Sequence, residues 1–264
     1  MNMASEPLVR FYDLSGPKPW SPACWRTRYA LNFKRIPFEC VKLSYPAVKS
    51  KCRELLSPTI EDRDATVPII EILQGPYVVL NDSTPIAELL NERFTEKDGY
   101  PEIKLVKEAK KYEEEIMFRQ RAIFRWISYD VWKNALDDKD GSKEYYRTTR
   151  EVNLGPLETI TERRGGGDAA VYEDHKVQWL GLKERMAKED GTGERESSHL
   201  RLDWSLWDWQ IIASYIDFYD ASLFRWVEAA NAEKGVRLMN LYEDDTFTKL
   251  MNKVKPYEGG PGGL

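Results

Sequence analysis

Ser21 and Pro22 stand at the head of a run, Ala23-Cys24-Trp25-Arg26 and on to Phe33, with the pattern of a helix. Serine at that point is an N-cap, and proline suits the first helical position, where its missing N–H loses no bond. The hydroxyl then faces unpaired backbone N–H groups at the positive end of a helix dipole. Such surroundings favour an anion, and a thiolate is one. A free thiol titrates near ~8.5, so little of it is ionised at neutral pH. Each unit of depression takes about 1.4 kcal/mol of preferential interaction with the anion. A hydroxyl hydrogen bond to a charged group supplies about 1.5–3 kcal/mol. Ser21 is therefore read as a donor to the sulfur of a bound thiol cofactor, not as a covalent nucleophile. Its plain alternative is a cap and nothing more. Cys24 is a rival, because Ser21-x-x-Cys24 occupies the positions of a redox Cys-x-x-Cys; its plain alternative is a small buried hydrophobe. A Ser-His-Asp hydrolase is not supported, since only His175 and His199 occur and neither sits in a recognisable motif.

The elements that must hold Ser21 alternate in type. Val9 to Tyr12 reads as a strand, Pro22 to Phe33 as a helix, Ile36 to Leu43 as a second strand and Val48 to Leu56 as a short helical piece. Val67 to Ile72 and Tyr77 to Leu80 form a hairpin about Gln74-Gly75-Pro76. Asn81-Asp82-Ser83-Thr84-Pro85 opens a helix that ends near Phe94. This β-α-β-α-β-β-α order is that of a thioredoxin-like domain, which we bound at residues 1–97. Asp98-Gly99 and Pro101 mark a linker, and residues 98–264 read as all-helical.

In that second part Tyr112, Ile116, Ile123, Ile127 and Val131 recur at helical spacing. A helix is expected from Ser142 to Arg163 and another from Tyr172 to Met186, with Gly165 to Gly167 as a flexible insertion between them. That glycine run lacks the Lys-Ser/Thr of a P-loop. Ser205-Leu206-Trp207-Asp208 has the form of a capping box, opening a buried helix to about Phe218. Trp204, Trp207, Ile211, Tyr215 and Phe218 read as core.

Composition narrows the function. The 264 residues carry a net charge of -5, against a nucleic-acid surface. No apolar run approaches the length of a membrane span, and Met1 to Pro7 lacks the features of a secretory signal. Cys24, Cys40 and Cys52 suggest neither a disulfide framework nor a zinc site, and two histidines are too few for one; no metal is expected. A reducing cytoplasm fits. Nine Trp and 14 Tyr point to large aromatic surfaces.

Four features occurring in order resemble the glutathione transferases: Ser21-Pro22 at a helix start, Thr66-Val67-Pro68, Asp82-Ser83, and Ser205-x-x-Asp208. The wording from Trp20 to Lys34, followed by Ser44-Tyr45-Pro46, is most similar to the fungal FuA class, related to serine-type β-etherases that cleave lignin aryl ethers. Ala23-Cys24 stands where that class usually has Asn-Thr. The resemblance implies glutathione as cofactor and Ser21 as the catalytic group. It implies a cis Pro68 that turns the Val67 backbone outward to pair with the cysteinyl part. It also implies Ser83 on the γ-glutamyl carboxylate and Asp82 on its ammonium. The glycyl carboxylate needs a cation, with Lys42, Lys49 and Arg28 as candidates. Trp126, Tyr129 and Trp132 lie on the helix that borders the family's acceptor pocket, and with Trp20 they are expected to meet a hydrophobic aromatic small molecule. A homodimer is expected. The expected reaction is thiolate attack on an activated carbon, a peroxide or an aryl ether. Rival readings are a non-catalytic carrier of aromatics (a ligandin) and a thiol-disulfide or deglutathionylating enzyme acting through Cys24.

Overall fold

The computed structural model describes residues 6–189 and 213–259. Its first part runs β1 (Val9–Leu14), α1 (Pro22–Phe33), β2 (Phe38–Leu43), α2 (Val48–Leu55), β3 (Ile69–Ile72), β4 (Val78–Asn81) and α3 (Ser83–Arg93), the order expected. The strands lie in the order β2-β1-β3-β4. β1 is parallel to β2 and antiparallel to β3, and β3 is antiparallel to β4. A parallel neighbour needs a crossover, which α1 provides. Phe11 sits at the centre, opposite Cys40 on one side and Ile70 on the other. This is a thioredoxin-like sheet. Val9, Phe11, Tyr12 and Leu14 are all buried, because a strand covered on both faces need not alternate in polarity.

The rest is helical: α4 (Val106–Asp130), α5 (Ser142–Leu154), α6 (Ile160–Gly165), α7 (Asp168–Gln178), α8 (Leu180–Glu189), α9 (Tyr215–Ala230), α10 (Ala232–Met239) and α11 (Thr246–Val254). α4 ends in a π-helical turn, Val131–Ala135. Tyr112, Ile116, Ile123, Ile127 and Val131 are buried, as their spacing implies. The helix expected over Ser142 to Arg163 is two. Gly155, at φ 69° and ψ -171°, leaves the helical region, and Pro156 has no N–H to continue the ladder. The helix expected from Tyr172 begins at Asp168 and is interrupted at Trp179, whose φ of -94° and ψ of 4° depart from helical values. Gly165 ends α6, and Gly166 and Gly167, at φ 74° and 96°, make the turn that joins it to α7.

Ser205 and Asp208, with Trp204, Trp207 and Ile211, lie outside the described residues. The box that opens α9 is Ser214–Asp217: Ser214 N–H donates to Asp217 Oδ2 at 2.7 Å, and Asp217 N–H returns to Ser214 Oγ at 3.4 Å. Tyr215 and Phe218 are fully buried. α1 lies between the sheet and α9. Tyr29 stacks on Phe218 at 5.5 Å, and Phe33 meets Phe218 edge-on at 5.8 Å. On its far side α9 buries two acids. Arg185 bonds both Asp217 and Asp220, Arg119 bonds Asp220, and Lys253 stands 3.0 Å from Asp217. Burial pushes the Asp217 carboxyl up, but Arg185, Lys253 and the Ser214 N–H overcome it and hold it at about 2.

His175 on α7 is wholly buried against Trp126, ring centroids 4.9 Å apart, and among the described residues neither ring nitrogen has a hydrogen-bond partner. Burial, with Arg237 nearby, lowers its pKa from 6.5 to about 4, against an opposing pull from Asp168. The fold therefore holds the neutral ring, while the unfolded chain takes a proton below 6.5. Stability is full above that value and falls as pH drops to about 4, by on the order of 3 kcal/mol. Urea midpoints measured between pH 7 and 4 should fall over this window. In His175→Leu the slope over the same window should flatten.

Candidate active site

Ser21 caps α1 with φ -67° and ψ 123°, and its Oγ accepts the Cys24 N–H at 3.4 Å. No acidic residue lies in the first turn of α1, so nothing there opposes an anion at the helix start. The loop ahead of Ser21 is pressed onto the end of α4. Gly16 is needed because an added Cβ would collide with Ala135 O. Trp20 Nε1 donates to Ser15 O at 3.1 Å, and Ser15 in turn bonds Asp140. Cys24 is 1% exposed. Burial, with Asp13 close by, pushes its thiol well above the usual value, although the Ser21 hydroxyl pulls the other way. A thiol so held is a poor source of thiolate.

The Val67–Pro68 peptide is cis. Asp82 N–H donates to Pro68 O at 3.2 Å, which places the start of α3 beside that loop. Asp82 is exposed, at φ 71°, and Ser83 is fully buried behind it. The hydroxyl of Tyr215 reaches Thr84 Oγ1 at 3.5 Å, and Thr84 Oγ1 meets Tyr219 OH at 3.2 Å. Val67, Pro68, Asp82 and Ser83 thus lie together at the end of the β3–β4 hairpin where Ile69 pairs with Asn81.

The three candidate cations separate. Arg28 is fully buried with Nη2 3.0 Å from Asp13 Oδ2, and Lys42 Nζ is 2.8 Å from the same oxygen. Neither lines the cavity described next. Lys49 does, with Nζ 2.7 Å from Asp62 Oδ2.

A cavity of about 440 Å³ opens between the sheet domain and the helices. Ser21, Thr66, Val67 and Lys49 line it from the first part. Phe124, Tyr145, Tyr146, Arg150 and Trp226 line it from α4, α5 and α9, while Trp20 and Tyr45 bridge the two groups. The rings are in contact. Tyr45 stacks on Tyr145 at 5.3 Å and lies 6.1 Å from Trp20, and Phe124 is 6.3 Å from Trp226. Trp226 Nε1 is buried without a hydrogen-bond partner among the described residues. Among the described residues no group of His, Cys, Asp and Glu is placed to hold a metal, and no helix is long and apolar enough to cross a membrane.

Of the four aromatic residues singled out in the sequence, Trp20 alone lines this cavity. Trp126 is 1% exposed, and its Nε1 donates to Asp168 Oδ1 at 2.7 Å within the packing of α4 on α7. Tyr129 and Trp132 stack on each other at 5.6 Å, with Arg147 over the Trp132 ring at 4.1 Å. The cavity face of α4 carries Gln120 and Phe124 instead. Residues two apart on a helix point about 200° apart, so Phe124 and Trp126 look in opposite directions. The residues missed on α5 did leave a signal. Tyr145, Tyr146, Thr149 and Arg150 form an i, i+4 stripe on one side of that helix.

The family model described as glutathione S-transferase, N-terminal domain, matches residues 20–93. Among solved structures, glutathione transferase GSTFuA3 from Phanerochaete chrysosporium is 24% identical, with a TM-score of 0.73 over 96% of this chain and 98% of that one. A glutathione S-transferase of Ceriporiopsis subvermispora in complex with glutathione is also 24% identical, with a TM-score of 0.73 over 95% and 98%. GSTFuA2 from Phanerochaete chrysosporium is 23% identical, again at 0.73, over 96% and 99%. No curated protein matches the chain. Residues 20–93 thus match the model of a glutathione S-transferase N-terminal domain, and the chain as a whole shares the fold of these fungal structures.

Proposed function

We propose that this protein is a glutathione-dependent transferase of the serine type, with glutathione on residues 1–97 and a hydrophobic aromatic acceptor held against residues 98–264. One observation carries the reading. A single cavity, of a size usual for small-molecule sites, joins the hydroxyl at the start of α1 to a wall of aromatic rings. The matched N-terminal domain and the glutathione-bound Ceriporiopsis structure support the choice of thiol. Ser21 donates to the thiolate, and the start of α1 adds its dipole. Val67 pairs with the cysteinyl backbone, and Asp82 and Ser83 take the γ-glutamyl end. Lys49 is the cation for the glycyl carboxylate, because of the three candidates it reaches the cavity, exchanging its contact with Asp62 for the ligand. The acceptor side is Trp20, Phe124, Tyr145, Tyr146 and Trp226. The same wall suits storage of aromatics, so ligand binding and turnover belong to one site.

Ser21→Ala should lower turnover with a thiol-reactive aromatic by up to about 10²-fold while glutathione affinity stays near the parent value, the pattern of one lost donor to developing charge. Unchanged turnover at neutral pH would remove Ser21 from the chemistry. Asp82→Ala and Ser83→Ala should act the other way, raising KM for glutathione more than they lower kcat, since both groups sit far from the sulfur. Calorimetric titration with glutathione checks this, and parent-like affinity in both variants would count against the placement. For the acceptor side, Trp emission should shift when a polycyclic or polyphenolic aromatic is titrated in. Tyr145→Ala should weaken that binding several-fold, about 1 kcal/mol for a lost ring contact, and Tyr129→Ala should leave it unchanged. The reverse order would move the aromatic site to the outer face of α4.

A further inference from the structure

Beside the cavity lies a second hollow, of about 350 Å³. Met117, Gln120, Arg121, Phe124 and Arg125 reach it from α4, at spacings of three and four that keep them on one face. Leu154 at the end of α5 and Ile160 and Arg164 of α6 complete it. Gln120 and Phe124 line the cavity as well, so one turn of α4 belongs to both spaces.

The hollow combines apolar surface with charge. Ile160 is fully buried, and Phe124 and Leu154 are half-buried. Arg121, Arg125 and Arg164 are exposed around them. Arg164 Nη2 donates to the Asn153 carbonyl at 2.8 Å, a neutral partner. No carboxylate among the described residues pairs with any of the three, whereas Arg119 on the same helix bonds Asp220, and Arg147 on α5 bonds Glu151 and Glu158. The cavity adds to this charge. Arg150 bonds the hydroxyls of Tyr45 and Thr149, at 2.7 and 3.1 Å, and lies over the rings of Tyr45 and Tyr146. Across the two walls Lys49, Arg150 and the three arginines of the hollow stand against one acid, Asp62, in a chain of net charge -5. Cations gathered on adjoining concave surfaces focus the field there and raise the local concentration of anions.

A molecule that fills both spaces needs a flat apolar body and an anionic end. Arg121 and Arg125 each follow a cavity residue, Gln120 and Phe124, by one position, about 100° around the helix. A ring lying on Phe124 in the cavity therefore meets the guanidinium groups through an acid carried on an arm that passes the Phe124 side chain. A guanidinium takes a carboxylate or sulfonate with two parallel hydrogen bonds, which sets the direction of that arm.

Resting on the transferase reading, we infer that the preferred acceptors of this protein are organic acids: the reacting ring lies in the cavity, and a carboxylate or sulfonate on a short arm lies among Arg121, Arg125 and Arg164 in the hollow. The three arginines are specificity-determining residues and touch no reacting atom. Their contribution is the same in the bound acceptor and in the transition state, so it appears in KM.

The test uses 4-chloro-3-nitrobenzoyl amides of ω-amino acids with arms of one to six carbons, each beside the same compound ending in a carboxamide. Glutathione sulfur bonds to the ring carbon and chloride leaves in every case, so the two series differ in the charge at the tip alone. In the parent chain the acid should exceed its carboxamide in kcat/KM by about 10-fold at the best arm length, nearly all of it in KM. Arg121→Met, Arg125→Met and Arg164→Met should each cut that preference by about 2–5-fold, the range for exposed ion pairs. The triple variant should abolish it, lysine at the same positions should keep part of it, and about 0.5 M salt should shrink it in the parent. Thermal midpoints check the fold of each variant. A loss equal for acid and carboxamide would make the arginines structural and overturn the assignment. So would a preference that survives in the triple variant, which would place the acid elsewhere. A parent that turns over both series with no preference at any arm length would refute the assignment while the transferase reading stands. If the parent conjugates glutathione to neither series, the transferase reading fails and this one falls with it.

Discussion

The Arg28–Asp13 ion pair, 0% and 1% exposed, ties α1 to the strand that precedes it. On the other side, Tyr29 and Phe33 lock the same helix onto Phe218 of α9. Leaving either charge of a buried pair without its partner typically loses about 3–5 kcal/mol, so the pair acts as a strict geometric condition. Ser21 caps the helix held in this way, and its hydroxyl therefore has a fixed direction relative to both halves of the chain. The cavity wall depends on the same clamp, because Trp226 belongs to α9. A shift of α1 would move the hydroxyl and the aromatic wall together.

Charge is distributed with a consistent logic. Where an acid is buried it is matched: Asp13 by Arg28 and Lys42, Asp217 and Asp220 by Arg119, Arg185 and Lys253. Around the cavity the balance differs. Arg150 faces hydroxyls and rings, and the start of α1 carries no acid in its first turn. In a site of reduced dielectric such an excess of positive potential favours a bound anion.

The strand and helix order was legible because it is written in local signals. The cap at Ser21, the hairpin turn and the cap of α3 each need only a few neighbouring residues. The break at Gly155-Pro156 was equally local, and reading through it joined two helices that the backbone separates. The cavity wall was harder for a different reason. Trp126 and Phe124 are both aromatic and two residues apart, and which of them meets the cavity depends on the rotation of α4 against α7 and α9. That rotation is set by contacts distant in sequence, such as Trp126 with Asp168 and Lys234 with Asp130. The capping box shows the same limit in miniature. Two Ser-x-x-Asp patterns lie nine residues apart, Ser205–Asp208 and Ser214–Asp217. The one seen to open α9 carries an acid that also satisfies Arg185 and Lys253.

That cap bears on the cavity as well. Ser214 and Asp217 close the first turn of α9 between themselves, and Tyr215 N–H is anchored on Lys104 O at 2.9 Å. The register of the helix is thus set at its own first residues and by a distant backbone group. The place of Trp226 in the cavity wall is therefore fixed from the first residues of its own helix, about three turns away.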